Sequence, residues 1–503
     1  MWKVICFSLF IPNLINAQGS WNSIPPISYA SNWITDFIVS NDTIVVYGTS
    51  IYSPNNLTQG LVVAQIDSNG NVLKEIFLAD SLGDKLSVDA KWGKIIKTSD
   101  GGYIATTAPL KRNSAMLIKL TSDLEVSFIK EYVDTTLISN FWYTPIEVSG
   151  GYLLYGNIQY PDLQIVGVVK FVNYAGDVIW EKRFSFTSYD TFIADFKQQS
   201  DSTFVMATTE TIFPSSNVWL NTNRSGIYIM DLQGNLLKTW QSEETPAIGY
   251  LRSVISIENG DLITYGLARK DIYFNTELIQ STLTRLDSNF NIKWTYSFGK
   301  ISSPGTQKHL QKFGKTVDGN FVGVGKYSAK TGTEPSRGHG WIYKFSAEGD
   351  SIWGRNFPTP LLPDEYPNGG ILYGVGTLSS GNIVAGGTAE DAQNRYCWIV
   401  KITHDGCMDT LFCQTSSIIP PNENNNEISI YPNPASDYVQ IDSPEEIRKV
   451  SLIDINGKNI YDCIENKKFI KIFLPSEVNN GIYLIQLTTQ SGYIISKKLI
   501  INK

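Results

Sequence analysis

Between residues 30 and 413 the apolar positions fall into short alternating runs broken by Gly-, Asp- and Asn-rich turns, and the runs return in one order. The clearest phrase is Leu61-Val62-Val63-Ala64-Gln65-Ile66, a polar turn Asp67-Ser68-Asn69-Gly70, and a second run, Val72-Leu73-Lys74-Glu75. It comes back as Val168 to Phe171, through Gly176, to Val178-Ile179-Trp180-Glu181-Lys182. Alternation with period two, in segments rich in Val, Ile, Thr and Tyr, predicts strands, and the turns predict hairpins. Taking the turn position in each copy as Gly70, Asp123, Gly176, Gly234, Phe290, Gly349 and Gly406, the spacings are 53, 53, 58, 56, 59 and 57 residues. A second set of turns, near Asp42, Gly101, Gly150, Asp201, Gly260, Gly319 and Gly381, keeps the same count, and one more candidate strand precedes each, such as Trp33 to Val39 or Trp92 to Lys97.

Four short strands per unit follow. A four-stranded antiparallel unit has two apolar faces that it cannot bury alone, so units of this period stack radially as blades. The expected fold is therefore all-β, a seven-bladed β-propeller over residues 18–413. Trp398 to Phe412 reads as the last hairpin of the seventh unit, and no strand is left over at either end, so no exchange of strands to close the ring is expected. Trp180, Trp240, Trp294 and Trp353 recur at one place in the last strand of their units and are assigned to packing. Hardly any helical periodicity is present.

Ahead of the repeats, Lys3 precedes an apolar stretch from Val4 to Ile15 that ends in Asn16-Ala17-Gln18, the order of a cleavable signal peptide spanning residues 1–17. The stretch is interrupted by Pro12 and is shorter than the roughly 20 residues needed to cross a bilayer, and no later segment qualifies. A formal net charge of −7 lacks the basic footprint of a nucleic-acid binder, so no nucleic-acid partner is expected. Of the five cysteines, Cys407 and Cys413 flank a short loop and are expected to pair in an oxidising compartment. Nothing fixes the pairing of Cys397 or Cys463.

Past the repeats, residues 414–427 turn polar around Pro420-Pro421-Asn422-Glu423-Asn424-Asn425-Asn426, a linker. Short strands follow at Glu427 to Tyr431, Tyr438 to Ile441, Lys449 to Asp454, Phe469 to Leu474, Ile482 to Thr488 and Tyr493 to Ile501. Three ordered motifs mark this module: Tyr431-Pro432-Asn433-Pro434-Ala435, then Val450 to Lys458 with Gly457, then Gly481-Ile482-Tyr483-Leu484 with a lysine-tipped last strand. Residues 428–503 resemble the type A C-terminal sorting domain of the type IX, or Por, secretion system. That resemblance implies a small Ig-like β-sandwich, recognition by the secretion machinery, and delivery to the cell surface or beyond. The repeats themselves resemble propeller-like repeats of secreted Bacteroidetes proteins, which implies a fold and no activity.

Candidate chemistry is sparse. The only histidines are His309, His339 and His404, and no Gly-x-Ser-x-Gly, His-Glu-x-x-His or phosphate-loop motif occurs. Acidic turns such as Asp67 to Gly70 lack the dense oxygen spacing of a calcium loop and are explained by turn chemistry. No metal or cofactor is expected. Aromatic residues beside predicted loops, Trp142, Tyr143, Trp219 and Tyr366, with His339 between two glycines, are the candidate contacts for an unidentified glycan or protein ligand; Tyr273 and Tyr373 belong to the same group. Exported binding module is the function expected. The alternative is a polysaccharide hydrolase or lyase, with acids such as Asp364 and Glu365 at the channel mouth.

Overall fold

The computed structural model describes residues 19–28, 31–53, 56–87, 94–213, 222–242, 250–269, 279–298, 307–329, 337–360, 369–391, 393–408, 429–433, 435–454, 459–475, 478–490 and 494–502. Among them the only helix is a single 3-10 turn, Glu258–Gly260. Seven antiparallel sheets precede the terminal module. Sheet 1 runs Ser31–Ser40, Thr43–Ser53, Asn56–Ile66 and Val72–Leu78; sheet 2 comprises Ile95–Lys97, Tyr103–Pro109, Ser114–Leu120 and Val126–Val133, with Leu86–Ser87 added at one edge. Sheet 3 is Ser139–Val148, Gly151–Gln159, Ile165–Asn173 and Val178–Phe184, and sheet 4 is Thr191–Gln198, Thr203–Phe213, Thr222–Asp231 and Leu236–Gln241. Sheet 5 contains Tyr250–Ser256, Leu262–Arg269, Ile279–Leu286 and Ile292–Phe298; sheet 6 contains Gln307–Lys315, Phe321–Ala329, Arg337–Phe345 and Ser351–Phe357. Sheet 7 has Gly369–Thr377, Ile383–Glu390 and Arg395–Ile402.

The fourth strand of sheet 7 overturns the expected closure. It is Trp21–Ser23 from the other end of the chain, paired antiparallel with Arg395–Ile402 so that Trp21 lies opposite Lys401. Beyond Met408 the expected last strand near Phe412 lies outside the described residues. Each sheet touches the next, and the first strand of sheet 1 packs on all three strands of sheet 7, so the seven sheets form a closed cycle. Buried clusters bridge neighbours: Ile34, Phe37, Val46 and Val62 of sheet 1 meet Val384 and Ile399 of sheet 7.

A repeated latch reinforces these interfaces. The indole N–H of Trp294 donates to the Ala347 carbonyl of the next sheet at 3.2 Å, and that of Trp353 donates to the His404 carbonyl at 3.3 Å. Trp21 does the same to Ser68 of sheet 1 at 3.2 Å. In each pair the ring lies against the glycine of the next turn, Gly349, Gly406 or Gly70; all three have positive φ, and a Cβ at Gly349 or Gly406 would meet the ring at 3.0 Å or 2.8 Å. Trp21 is thus the counterpart, in sheet 7, of the repeating tryptophans.

In sheet 2 the residue at positive φ in the corresponding turn is Leu124 (59°), one place beyond the expected Asp123, and Leu124 N donates to Thr121 O. The first strand of that sheet is Ile95–Lys97; Trp92, the expected start, lies outside the described residues.

The terminal module forms a sheet in the order Ser429–Tyr431, Tyr438–Ile453, Gly481–Thr489, Ile494–Ile501, with Asn459–Phe473 also paired to Tyr438–Ile453. Two expected strands therefore fuse into Tyr438–Ile453; both its halves pair with Asn459–Phe473, while on the other edge, across the register shifts between Asp442 and Lys449, the first half pairs with Ser429–Tyr431 and the second with Gly481–Thr489. Asn459–Phe473 likewise extends well before Phe469. Val439, Ile441, Val450, Leu452, Ile472, Ile485, Leu487 and Leu499 form a core of its own.

Candidate functional site

The first strands of the seven sheets converge on the axis of the ring. In six sheets this strand carries a one-residue irregularity at the same level, between Ile34 and Asp36, Trp142 and Thr144, Ile193 and Asp195, Leu251 and Ser253, Leu310 and Lys312, and Leu372 and Gly374. A bulge re-aims the side chain that follows it. Asp36, Thr144, Asp195, Ser253, Lys312 and Gly374 consequently occupy one level. Lys94 supplies the place of sheet 2, because Asp36 Oδ2 accepts from Ile95 N at 3.0 Å as Asp195 Oδ2 accepts from Val254 N at 3.1 Å.

This waist is a mixed-charge belt. Lys312 donates to Asp36 Oδ1 at 2.7 Å, joining sheet 6 to sheet 1. Lys94 stands 3.8 Å from the same oxygen. On the other side Asp195 Oδ1 is 3.0 Å from Lys197 and accepts from Tyr155 Oη at 3.0 Å, while Asp195 Oδ2 accepts from Ser253 Oγ at 2.7 Å. Burial opposes ionisation of Asp36, yet Lys312, Lys94 and the Ile95 N–H hold its carboxyl below the usual carboxylate range. Asp195 is held low in the same way, against burial, by Lys197, Ser253 and the Val254 N–H. Lys94 moves the other way: burial pushes its ammonium down to about 8, with Asp36 only partly offsetting the loss of water.

The two ends of the ring differ. Because each sheet is a meander, its first-to-second and third-to-fourth turns lie at one end, and these connections span two to five residues. The second-to-third and sheet-to-sheet connections share the opposite end and range from the two residues between Ser53 and Asn56 to the 16 between Leu78 and Ile95, so every connection longer than five residues lies there. Trp219 falls in the connection between Phe213 and Thr222, and Tyr366 in that between Phe357 and Gly369; both are outside the described residues, as are Tyr273, Asp364 and Glu365.

Trp142 and Tyr143 were expected beside a loop but lie within Ser139–Val148, Tyr143 being the residue left unmatched by the bulge. Tyr373 is in the same position in Gly369–Thr377. His339 is also in a strand, Arg337–Phe345, opposite Tyr327, with the two ring centroids 6.5 Å apart. The flanking glycines, which suggested a loop, are there for close packing: a Cβ at Gly340 would meet the Trp398 ring at 2.5 Å.

Near the same end of sheet 4, fully buried Glu210 accepts from Thr208 Oγ1 at 2.8 Å, Arg224 Nε at 2.8 Å, Gln241 Nε2 at 3.0 Å and the Tyr228 hydroxyl. Phe186 stacks on Tyr228 at 3.9 Å. Both carboxylate oxygens are therefore taken up in packing sheet 4. Cys407 is disulfide-bonded, while Cys397 and Cys463 are free thiols; Cys413 lies outside the described residues.

The sorting motifs have structural counterparts. Asn433 Oδ1 accepts from Ile500 N at 2.8 Å, and Ala435 exchanges backbone bonds with the last strand, accepting from Asn502 N and donating to Ile500 O. The segment after Tyr431 thus ties the first strand of the module to its last. Gly481 opens the strand Gly481–Thr489, and Tyr483 Oη donates to Asn479 O at 3.0 Å. Pro434 and Gly457 lie outside the described residues.

A cycle of four-stranded sheets with a mixed-charge axis, joined to a separate β module, defines a protein of β-propeller-like architecture with an accessory terminal domain. Residues 429–502 match the family described as "Secretion system C-terminal sorting domain", so the terminal module is a type IX sorting domain and the chain is one destined for secretion or the cell surface. No helix among the described residues is long and apolar enough to cross a membrane. No curated protein matches the chain. Among solved structures, the chain is similar to PorZ, described as an essential bacterial surface component of the type-IX secretion system of Porphyromonas gingivalis, at 10% identity over 93% of this chain and 69% of that one, with a TM-score of 0.32. It is similar to the polysaccharide lyase Uly1 at 11% identity over 78% of this chain and 94% of that one, TM-score 0.42. An oligogalacturonate lyase in complex with manganese aligns at 11% identity over 76% and 96%, TM-score 0.41. These likenesses are distant, and the architecture described here rests on the sheets themselves.

Proposed function

We propose that the protein is carried out by the type IX machinery through residues 428–503, after export directed by residues 1–17, and acts outside the cell as a non-catalytic module that binds a glycan or a protein. Binding takes place on the long-connection end of a seven-bladed ring, around the channel mouth. The placement of the long connections carries this reading: every connection longer than five residues lies at one end, and Trp219 and Tyr366 belong to two of them. Trp142, Tyr143 and His339 are assigned supporting roles in the strands that lead away from that end. A Cys407–Cys413 disulfide belongs to the same proposal, as a staple just before the linker.

The test is incubation of the secreted protein with a panel of polysaccharides, scoring retained protein and newly released sugar ends together. Retention without release is expected, and Trp219→Ala or Tyr366→Ala should weaken it by about tenfold, the size of one aromatic contact of about 1.4 kcal/mol. Released reducing ends or unsaturated products would instead establish a hydrolase or lyase. Failure to be retained on any polysaccharide would remove the glycan half of the proposal.

A further inference from the structure

The waist holds three ammonium groups, Lys94, Lys197 and Lys312, and two carboxylates, Asp36 and Asp195. Each carboxylate already has an ammonium at contact distance, Lys312 at 2.7 Å from Asp36 and Lys197 at 3.0 Å from Asp195. Lys94 is the odd charge. Its nearest carboxylate oxygen is 3.8 Å away, its side chain is only 18% exposed, and its Nζ makes no hydrogen bond among the described residues. An ammonium carries three donors, and removing it from water without acceptors is costly. The bulge register sets Asp36, Asp195 and Lys312 at one level with Lys94, and Lys312, Lys197, Asp36 and Asp195 all act electrostatically on Lys94. Their sum, with every lysine protonated, is one excess positive charge in a chain whose overall formal charge is −7.

We propose that the waist is a binding site for one monoanionic carboxylate, completed by Lys94 with Lys197 and Lys312 nearby, and that the acidic group of a uronic acid is the ligand it fits. The charge balance selects the class. One negative charge neutralises the excess, whereas a phosphate monoester, at about −1.5 to −2, would overshoot it next to Asp36 and Asp195. Tyr155 and Ser253 already donate to Asp195, and Tyr155 lies against Thr144, so Asp195 is held in place beside the site by hydroxyl groups. The sugar assignment rests on the glycan reading above; the carboxylate assignment does not.

Calorimetric titration of the secreted protein with glucuronate, galacturonate, acetate, galactose and inorganic phosphate tests it. Uronates should bind at least about tenfold tighter than galactose or phosphate. Lys94→Met should abolish that preference and Lys94→Arg should retain it; uronate binding should also fade as pH rises from about 7 to about 9, as Lys94 loses its proton. The Asp36–Lys312 pair survives Lys94→Met, so that variant should stay folded; if it does not, Lys197→Met must weaken uronate binding instead. Unchanged uronate binding in a folded Lys94→Met protein, or equal binding of galactose, overturns the site. Equal affinity for acetate and the uronates overturns the sugar assignment alone. Uronate binding together with silence from the polysaccharide panel would separate this site from the wider binding proposal.

Discussion

Asp36 and Lys94 show what single residues contribute to the ring. Asp36 is almost fully buried and nevertheless ionised, because Lys312 and the Ile95 N–H replace the water it lost. Its folded pKa lies below the unfolded value of about 3.9, so its stabilisation is complete above that value and is lost as pH falls through the folded one. Lys94 has the opposite consequence. Its folded pKa of about 8 is below the ordinary lysine value of 10.5, so between these the unfolded chain binds more protons and stability rises with pH. Lys94→Met should therefore raise the melting temperature at neutral pH and flatten the rise between about pH 8 and about pH 10.5, as thermal melts across that range would show. Lys312→Met should do the reverse at neutral pH, destabilising by about 2 kcal/mol, because Asp36 then keeps only the more distant Lys94. If Lys312→Met melts no lower than the parent, the Asp36 pair is not what holds the waist. These charges were passed over in reading the sequence, although each interrupts an apolar run, Asp36 inside Trp33-Ile34-Thr35-Asp36-Phe37-Ile38 and Asp195 inside Phe192-Ile193-Ala194-Asp195-Phe196. Their meeting on one axis was not legible there, since it depends on bulges in strands more than 150 residues apart.

Among the elements, the strand Trp21–Ser23 is the one that pattern reading missed, and the reason is physical. Three residues carry no periodicity, and the seventh unit seemed already complete through Phe412. The available signal was the tryptophan. Trp21 lies opposite Lys401 as Trp353 lies opposite Lys344 and Trp294 opposite Arg285. Asn22 adds to the clasp: its Nδ2 donates to Pro358 O at 2.9 Å, and its Oδ1 accepts from Trp398 Nε1 at 2.6 Å. Ser20 Oγ donates to Cys407 O at 2.9 Å. Trp21→Ala should cost about 2 kcal/mol, less than a fully buried tryptophan because Trp21 is half-buried. Since the contact joins residues 380 apart, it should form late, and the loss should appear mainly as faster unfolding in stopped-flow denaturation, with refolding little changed. A comparable slowing of refolding would mean that ring closure is part of the nucleus. By contrast the hairpins were legible throughout, because local turn chemistry sets them; even Leu124 and Phe290 keep the glycine conformation of the shared turn.

For the whole molecule, the division between ring and sorting module is one of separate cores. The terminal cluster draws only on residues from Ala435 to Ile501, whereas the clusters of the ring run from Ile27 to Ile402. Each unit has the buried apolar surface to hold itself together, and cooperative unfolding follows shared cores more closely than chain continuity. The sequence made this boundary visible through the polar stretch around Pro420 and Asn424, while the fused strands of the module stayed hidden because Ser443 to Glu446 resembles a turn. Calorimetry of the full secreted protein should therefore give two transitions. Trp21→Ala should lower only the one belonging to the ring. Leu487→Ala, which empties a fully buried position in the terminal core, should lower only the other, by the equivalent of about 3 kcal/mol. A single transition that moves with both substitutions would mean that ring and module fold as one unit.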